Sequence, residues 1–206
     1  MKKIIGSVIL CLILITNAQA FDKSLALKTD VHLLSKGEES TGICNGVVLQ
    51  NTTSYATVLT AKHCTEKRDE FWVENNRAYL IKESKDYDLA FLFVPNHLYK
   101  KEGIKIAKEA KINTPVYYIG EVAGLKINEY GRILYHNFLN STSGTTLHII
   151  RGCSGGGIIN EDNELVGIVV TGYFLTSPKA IISNMQNLTS INYFLLIEVG
   201  GWNGRY

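Results

Sequence analysis

Three short segments of this 206-residue chain carry side chains that could act together in nucleophilic catalysis. Val58-Leu59-Thr60-Ala61-Lys62-His63-Cys64 reads as an apolar strand running into a turn that presents a histidine. Asp86-Tyr87-Asp88-Leu89-Ala90-Phe91-Leu92 puts acidic residues at the mouth of a buried strand. Arg151-Gly152-Cys153-Ser154-Gly155-Gly156-Gly157 sets a serine in a glycine-rich turn. Taken singly, each has an ordinary structural explanation, as a structural histidine, a strand-capping aspartate or a turn. Together they hold the parts of an activated hydroxyl. Serine needs a base to take its proton, and an imidazole base needs a carboxylate to fix its tautomer and stabilise its cation.

In the order His, Asp, Ser the segments resemble the chymotrypsin/trypsin-like serine proteases. V-L-T-A-K-H-C is similar to that family's V-L-T-A-A-H-C, with Lys62 replacing the second alanine. D-L-A-F-L resembles D-[IL]-A-[LV]-[LV], and G-C-S-G-G-G resembles G-D-S-G-G-P. Gly167 to Gly172, G-I-V-V-T-G, is similar to the G-I-V-S-W-G segment that lies beside the bound peptide. The resemblance covers roughly residues 28–200. It implies a compact, bacterial- or viral-type serine endopeptidase that cleaves polypeptides through an acyl-enzyme, with no cofactor and no metal. Ser154 is then the nucleophile, His63 the base and Asp88 the orienting acid, with the N–H groups of Gly152 and Ser154 as oxyanion hole.

Two choices arise inside the motifs. Asp88 directly precedes the apolar run and matches the motif, so Asp86 is read as a turn residue. Some relatives use a cysteine within G-x-C-G-G. Here Ser154, not Cys153, is the residue followed by two glycines, and the register selects Ser154. The resemblance also implies a disulfide between Cys44 and Cys64, tying down the His63 turn. By the same register His148 stands at the base of the specificity pocket, with Ile149, Ile150, Val170, Thr171 and Gly172 as its wall. No carboxylate stands there, so the expected preference is for a polar, acidic or medium apolar side chain rather than Lys or Arg.

The departures from the family pattern also carry information. The intervals from His63 to Asp88 and from Asp88 to Ser154 are shorter than in digestive relatives, which implies trimmed surface loops. No I-V-G-G sequence occurs near Phe21, and Cys153 stands where animal members place the aspartate that pairs with a newly cut N-terminus. The expectation is a protein active without N-terminal cutting beyond leader removal.

The rest of the chain must position these residues. Lys2 and Lys3 precede an apolar run from Ile4 to Ile15, followed by a small-residue site ending Ala18-Gln19-Ala20. That is the pattern of a signal peptide, residues 1–20, and the run is short for a membrane span, which needs about 20 apolar residues. The expectation is a secreted or periplasmic protein, free of the membrane after cleavage. The formal charge of +2 lies in that leader, so residues 21–206 are net neutral and no nucleic-acid partner is implied. Of the 4 cysteines, Cys11 belongs to the leader, leaving Cys44, Cys64 and Cys153 for one disulfide and one free thiol; counting alone does not say which pair.

After the leader come about a dozen short apolar runs rich in Val, Ile, Tyr, Thr and Phe, bounded by Asn, Asp, Gly and Ser. They include Val31–Leu34, Gly46–Gln50, Ala78–Lys82, Gly131–Asn137, Thr145–Ile150 and Ala180–Ser183. Helix is expected only as one turn after Thr60 and as a short C-terminal stretch, Ile191–Ile197. The pattern is all-β, and the resemblance makes it two six-stranded antiparallel barrels. Residues 21–110 would form the barrel carrying His63 and Asp88, and residues 111–206 the barrel carrying Ser154, with the polar segment Lys100–Asn113 between them. The protein is expected to be a monomer. A catalytically inactive, protease-like binding module is the competing function.

Overall fold

The computed structural model describes residues 21–137, 142–172 and 180–184, with residues 137, 171–172 and 180–184 described by their backbone alone. The expected leader (1–20) and C-terminal helix (191–197) lie outside the described residues. A short helix, α1 (Lys23–Thr29), leads into β1 (Asp30–Lys36), β2 (Thr41–Asn51), β3 (Ala56–Thr60), β4 (Glu70–Val73), β5 (Asn76–Glu83) and β6 (Ala90–Val94). One 3-10 turn, Lys62–Cys64, follows β3. The second half contributes β7 (Pro115–Val122), β8 (Leu125–Asn137), β9 (Thr142–Thr145), β10 (Gly157–Asn160), β11 (Leu165–Gly172) and β12 (Ala180–Asn184).

Each set of six closes on itself, in the orders β1-β2-β3-β6-β5-β4 and β10-β11-β12-β9-β8-β7. All twelve pairings are antiparallel. The chain is the all-β double barrel of the chymotrypsin type. Closure leaves little strand edge to solvate, which lets short strands of ordinary propensity hold together. Val31, Val47, Val58, Leu59, Leu92 and Val94, on strands of the first barrel, lie in one core cluster at 0 % exposure. Each such aliphatic side chain contributes about 1.5–3 kcal/mol relative to exposure. That core continues into Ile119, Ile159, Leu165 and Ile168 of the second barrel, so the two pack as neighbours. The connection between them is stitched to both: Ile104 N–H donates to Val48 O (2.9 Å) and Ala107 N–H to Leu165 O (2.9 Å).

Three local features differ from the sequence expectation. α1 was not expected; Asp22 caps it, its carboxylate accepting from the N–H groups of Ser24 and Leu25, and Ala26 and Thr29 are buried. The strand expected over 145–150 stops at Thr145, whose Oγ1 takes the Leu147 N–H (3.3 Å), and residues 146–150 run irregularly toward Ser154. β8 begins at Leu125, well before Gly131. Ala123 and Gly124 (φ 51° and 81°) make a two-residue turn that pairs Val122 with Leu125. The Asn160–Asn163 hairpin turn is present, with Asn160 Oδ1 accepting from Asp162 N–H and Glu164 N–H.

Candidate active site

The five residues of β3 are all buried, and the chain leaves the first barrel at Ala61 into the single turn that carries His63. That turn is held from three sides. Cys64 is joined to Cys44 of β2 by a disulfide. Arg68 Nη1 donates to the carbonyls of His63 and Cys64, both at 3.0 Å. Lys62 Nζ reaches the Ser84 carbonyl at 3.2 Å. Cys44, Cys64 and His63 form a compact group of potential metal donors, but the two sulfurs are bonded to each other and the ring Nδ1 is engaged by Asp88.

Asp88 sits two residues before β6 and grips His63 at two points. Its Oδ1 accepts the His63 backbone N–H (2.9 Å) and its Oδ2 lies 2.7 Å from Nδ1. Because a carboxylate only accepts, the ring carries its proton on Nδ1, and Nε2 is left as the basic atom. Burial pushes the Asp88 carboxyl up. The His63 ring, the His63 and Lys62 N–H groups and the histidine's charge outweigh burial and hold it below the ordinary aspartate value. Asp86 is exposed, and its backbone N–H bonds to Ser84 Oγ, at the turn.

The Ser154 turn rises from the second barrel and docks on the first. Its N–H groups divide in use. Cys153 N–H donates to Ile150 O (3.3 Å), Gly155 N–H to Val169 O (2.8 Å) and Gly156 N–H to Cys153 O (3.0 Å). Among the described residues, those of Gly152 and Ser154 have no acceptor. Two free donors that flank an engaged one suit an oxyanion. Gly155 has φ +82°, and a Cβ there would lie 2.1 Å from Asn45 O and 2.2 Å from Thr60 Oγ1, so only glycine lets the turn approach β2 so closely. Ser154 is half-buried, while Cys153 is fully buried in one core cluster with Tyr118. Burial pushes the Cys153 thiol above its ordinary range, away from the thiolate a nucleophile needs. No hydrogen bond joins Ser154 to His63 among the described residues; such bonds commonly tighten only when substrate closes the site.

One participant was not foreseen. Asn45 of β2, 1 % exposed, donates from Nδ2 to Gly152 O (2.8 Å) and to Tyr118 Oη (3.3 Å), and its N–H donates to Ser154 O (2.8 Å). The only sequence signal was an asparagine inside an apolar strand, next to Cys44.

Of the expected pocket residues, His148 is exposed between buried Leu147 and Ile149, and no hydrogen bond or ion pair ties it to the site among the described residues. Val170 is half-buried, and Thr171 and Gly172 are described by backbone alone. β10 pairs with β11 only as far as Gly157 opposite Ile168, and Val169 then bonds to Gly155 and Gly156. Residues 170–172 extend beyond that point; Thr171 and Gly172 pair with β12 on their other side, and Val170 falls at a register shift.

Residues 44–168 match the family described as trypsin-like peptidase domain. A search of curated proteins finds no match. Among solved structures the chain is similar to a serine endoprotease from Yersinia pestis, with 21 % identity, a TM-score of 0.70, 85 % of this chain covered and 65 % of the other. It is likewise similar to an HtrA-type protease, AlgW, with a tripeptide (20 %, TM-score 0.69, coverage 86 % and 62 %). The active form of the Rv3671c protease from M. tuberculosis follows at 16 % identity, TM-score 0.68, coverage 83 % and 86 %. The chain thus spans under two thirds of the first two, and at these identities the likeness is one of fold.

Proposed function

The chain belongs to the trypsin-like peptidase family, and from that premise we propose that it is a serine endopeptidase acting through His63, Asp88 and Ser154. The observation that carries this reading is the pairing of two halves. From the first barrel comes an imidazole whose proton is fixed on Nδ1 by Asp88. From the second comes a half-buried serine whose own N–H and that of Gly152 have no acceptor among the described residues. A binding module would have no need of that combination.

In the proposed reaction Ser154 Oγ attacks the scissile carbonyl while His63 Nε2 takes its proton. Asp88, held ionised, stabilises the resulting imidazolium without taking the proton itself. The oxyanion accepts from Gly152 N–H and Ser154 N–H. The protonated His63 then delivers its proton to the leaving amine, and an acyl-Ser154 remains. Water, activated by the same histidine, attacks the ester and restores the serine. The substrate chain is proposed to lie along residues 170–172 as an added strand, with backbone hydrogen bonds for affinity and side-chain pockets for selectivity.

His148, Val170, Thr171 and Gly172 are proposed to contact the side chain before the scissile bond. With no carboxylate among them, Lys and Arg lack a counter-charge, so polar, acidic or medium apolar residues are favoured. We further propose that residues 1–20 direct export and are removed, and that the protein works outside the cytoplasm, in a compartment where the Cys44–Cys64 bond is stable. Cleavage profiling of residues 21–206 on a mixed peptide library tests the reading. Cleavage after non-basic residues supports it; a profile dominated by Lys or Arg overturns the pocket assignment, and no hydrolysis at all favours the binding module.

A further inference from the structure

We propose that Asn45 is the positioning residue of the oxyanion loop, holding from the first barrel the carbonyls of Gly152 and Ser154 so that their N–H groups converge on one point. The proposal rests on the serine-peptidase reading above. The loop is held at two residues, with Asn45 Nδ2 donating to Gly152 O and Asn45 N–H to Ser154 O, while Cys153 between them packs in one core cluster with Tyr118. The same Nδ2 also donates to Tyr118 Oη, so the Asn45 bonds and the packing of Cys153 meet at one buried side chain. Asn45 is anchored in turn by Thr60 Oγ1, which donates to its carbonyl at 2.7 Å.

The need for such a strut follows from Gly152 itself. Its φ is +98°, and a Cβ there would meet Val122 Cγ1 at 2.6 Å, so the position demands glycine. Glycine, however, has little preference between positive and negative φ, and nothing within the residue stops the adjoining peptides from turning over. The Gly152 N–H lies in the peptide before the residue and the carbonyl held by Asn45 in the peptide after it, so the held carbonyl is the fixed end from which φ of Gly152 aims the N–H. Turning that carbonyl away from Asn45 would leave a buried amide donor without its acceptor, a penalty of the order that an unmade buried hydrogen bond carries. Asn45 Oδ1, by contrast, has no partner among the described residues. The two Nδ2 bonds therefore fix the amide's orientation, and an apolar or acidic residue at 45 could not supply them.

The test compares wild type, Asn45→Ala, Asn45→Asp and Tyr118→Phe on a peptide substrate and on a peptide aldehyde whose hemiacetal oxygen fills the oxyanion hole. Asn45→Ala should lower kcat about 10–100-fold, below the roughly 10²–10³ of deleting an oxyanion donor outright. KM should stay within about twofold, and aldehyde affinity should fall with kcat. Asn45→Asp should do no better than alanine, since an acceptor oxygen would face Gly152 O, and Tyr118→Phe should lose less. Hydrogen exchange over residues 150–156 reads the same strut without turnover, and should quicken in Asn45→Ala. Unchanged kcat and aldehyde affinity, or unchanged exchange, in a folded Asn45→Ala overturns the proposal. A wild type that cleaves nothing overturns the peptidase reading instead, while the exchange comparison still decides the role of Asn45.

Discussion

Asp88 holds His63 by both its side chain and its backbone: Oδ2 lies 2.7 Å from Nδ1 and Oδ1 takes the backbone N–H at 2.9 Å. One carboxylate thereby sets the tautomer of the ring and the place of the residue that bears it. The His63 turn lies between β3 and Asp88, so the first barrel delivers a base already aimed before substrate arrives.

Asp88→Asn should therefore hurt chemistry far more than folding. An amide there presents a donor to the ring and favours the wrong tautomer, a change that costs about 10⁴ in kcat in enzymes built this way. Asp88's carboxyl sits below its ordinary value when folded, so its stabilising contribution is full above the unfolded value of about 3.9 and fades as pH drops through the folded one. Acid titration of unfolding should thus be shallower in the variant. Equal kcat for variant and wild type would remove Asp88 from the mechanism.

The Cys44–Cys64 bond closes a stretch with a sequence separation of 20, a constraint worth about 3 kcal/mol through the unfolded chain. Cys44→Ala/Cys64→Ala should unfold correspondingly earlier in guanidinium and lose activity through a looser His63 turn. Cys153, at 0 % exposure, should react with a thiol reagent only after unfolding. Rapid labelling of Cys153 in the native protein would contradict its packing against Tyr118.

Gly155→Ala should be among the most damaging small changes. The added methyl would sit 2.1 Å from a backbone oxygen, Asn45 O, which has no side-chain freedom with which to give way, at φ +82°. Loss of activity and a lowered Tm are expected, whereas a fully active variant would mean that the turn does not rest on β2.

Asp30, at the start of β1, tests a different part of the interior. Burial drives its carboxyl well above the ordinary value, and Glu74 and Glu121 add to this while Lys101 opposes it. Folded Asp30 thus keeps its proton where the unfolded chain has lost it. Its contribution to stability is full below about pH 3.9 and declines as pH rises toward the folded value, by up to about 1.4 kcal/mol per pH unit. Asp30→Asn should flatten that decline. Guanidinium unfolding at pH 5 and pH 7 measures it, and parallel changes in both proteins would contradict the account.

How much of this was legible in the sequence depends on the range of each signal. The strands were, because short continuous apolar runs such as β3 and β6 announce themselves locally, and the family resemblance grouped them into two barrels. His63, Asp88 and Ser154 were singled out because each lies in its own short, recognisable run. α1 was missed because seven residues are too few to establish a helical period. The start of β8 was missed because Ala123 in a two-residue turn breaks the usual Asn-Gly or Asp-Gly preference. Asn45 could not be assigned a task from sequence: its partners are 73 and 107 residues away, and no local pattern links them.

The most direct test of the central claim is mass spectrometry of residues 21–206 after exposure to a fluorophosphonate, run beside hydrolysis assays of Ser154→Ala and Cys153→Ala. The account predicts one adduct, on Ser154, with peptide hydrolysis abolished in Ser154→Ala and retained in Cys153→Ala. An adduct elsewhere, or near-normal hydrolysis by Ser154→Ala, would contradict it.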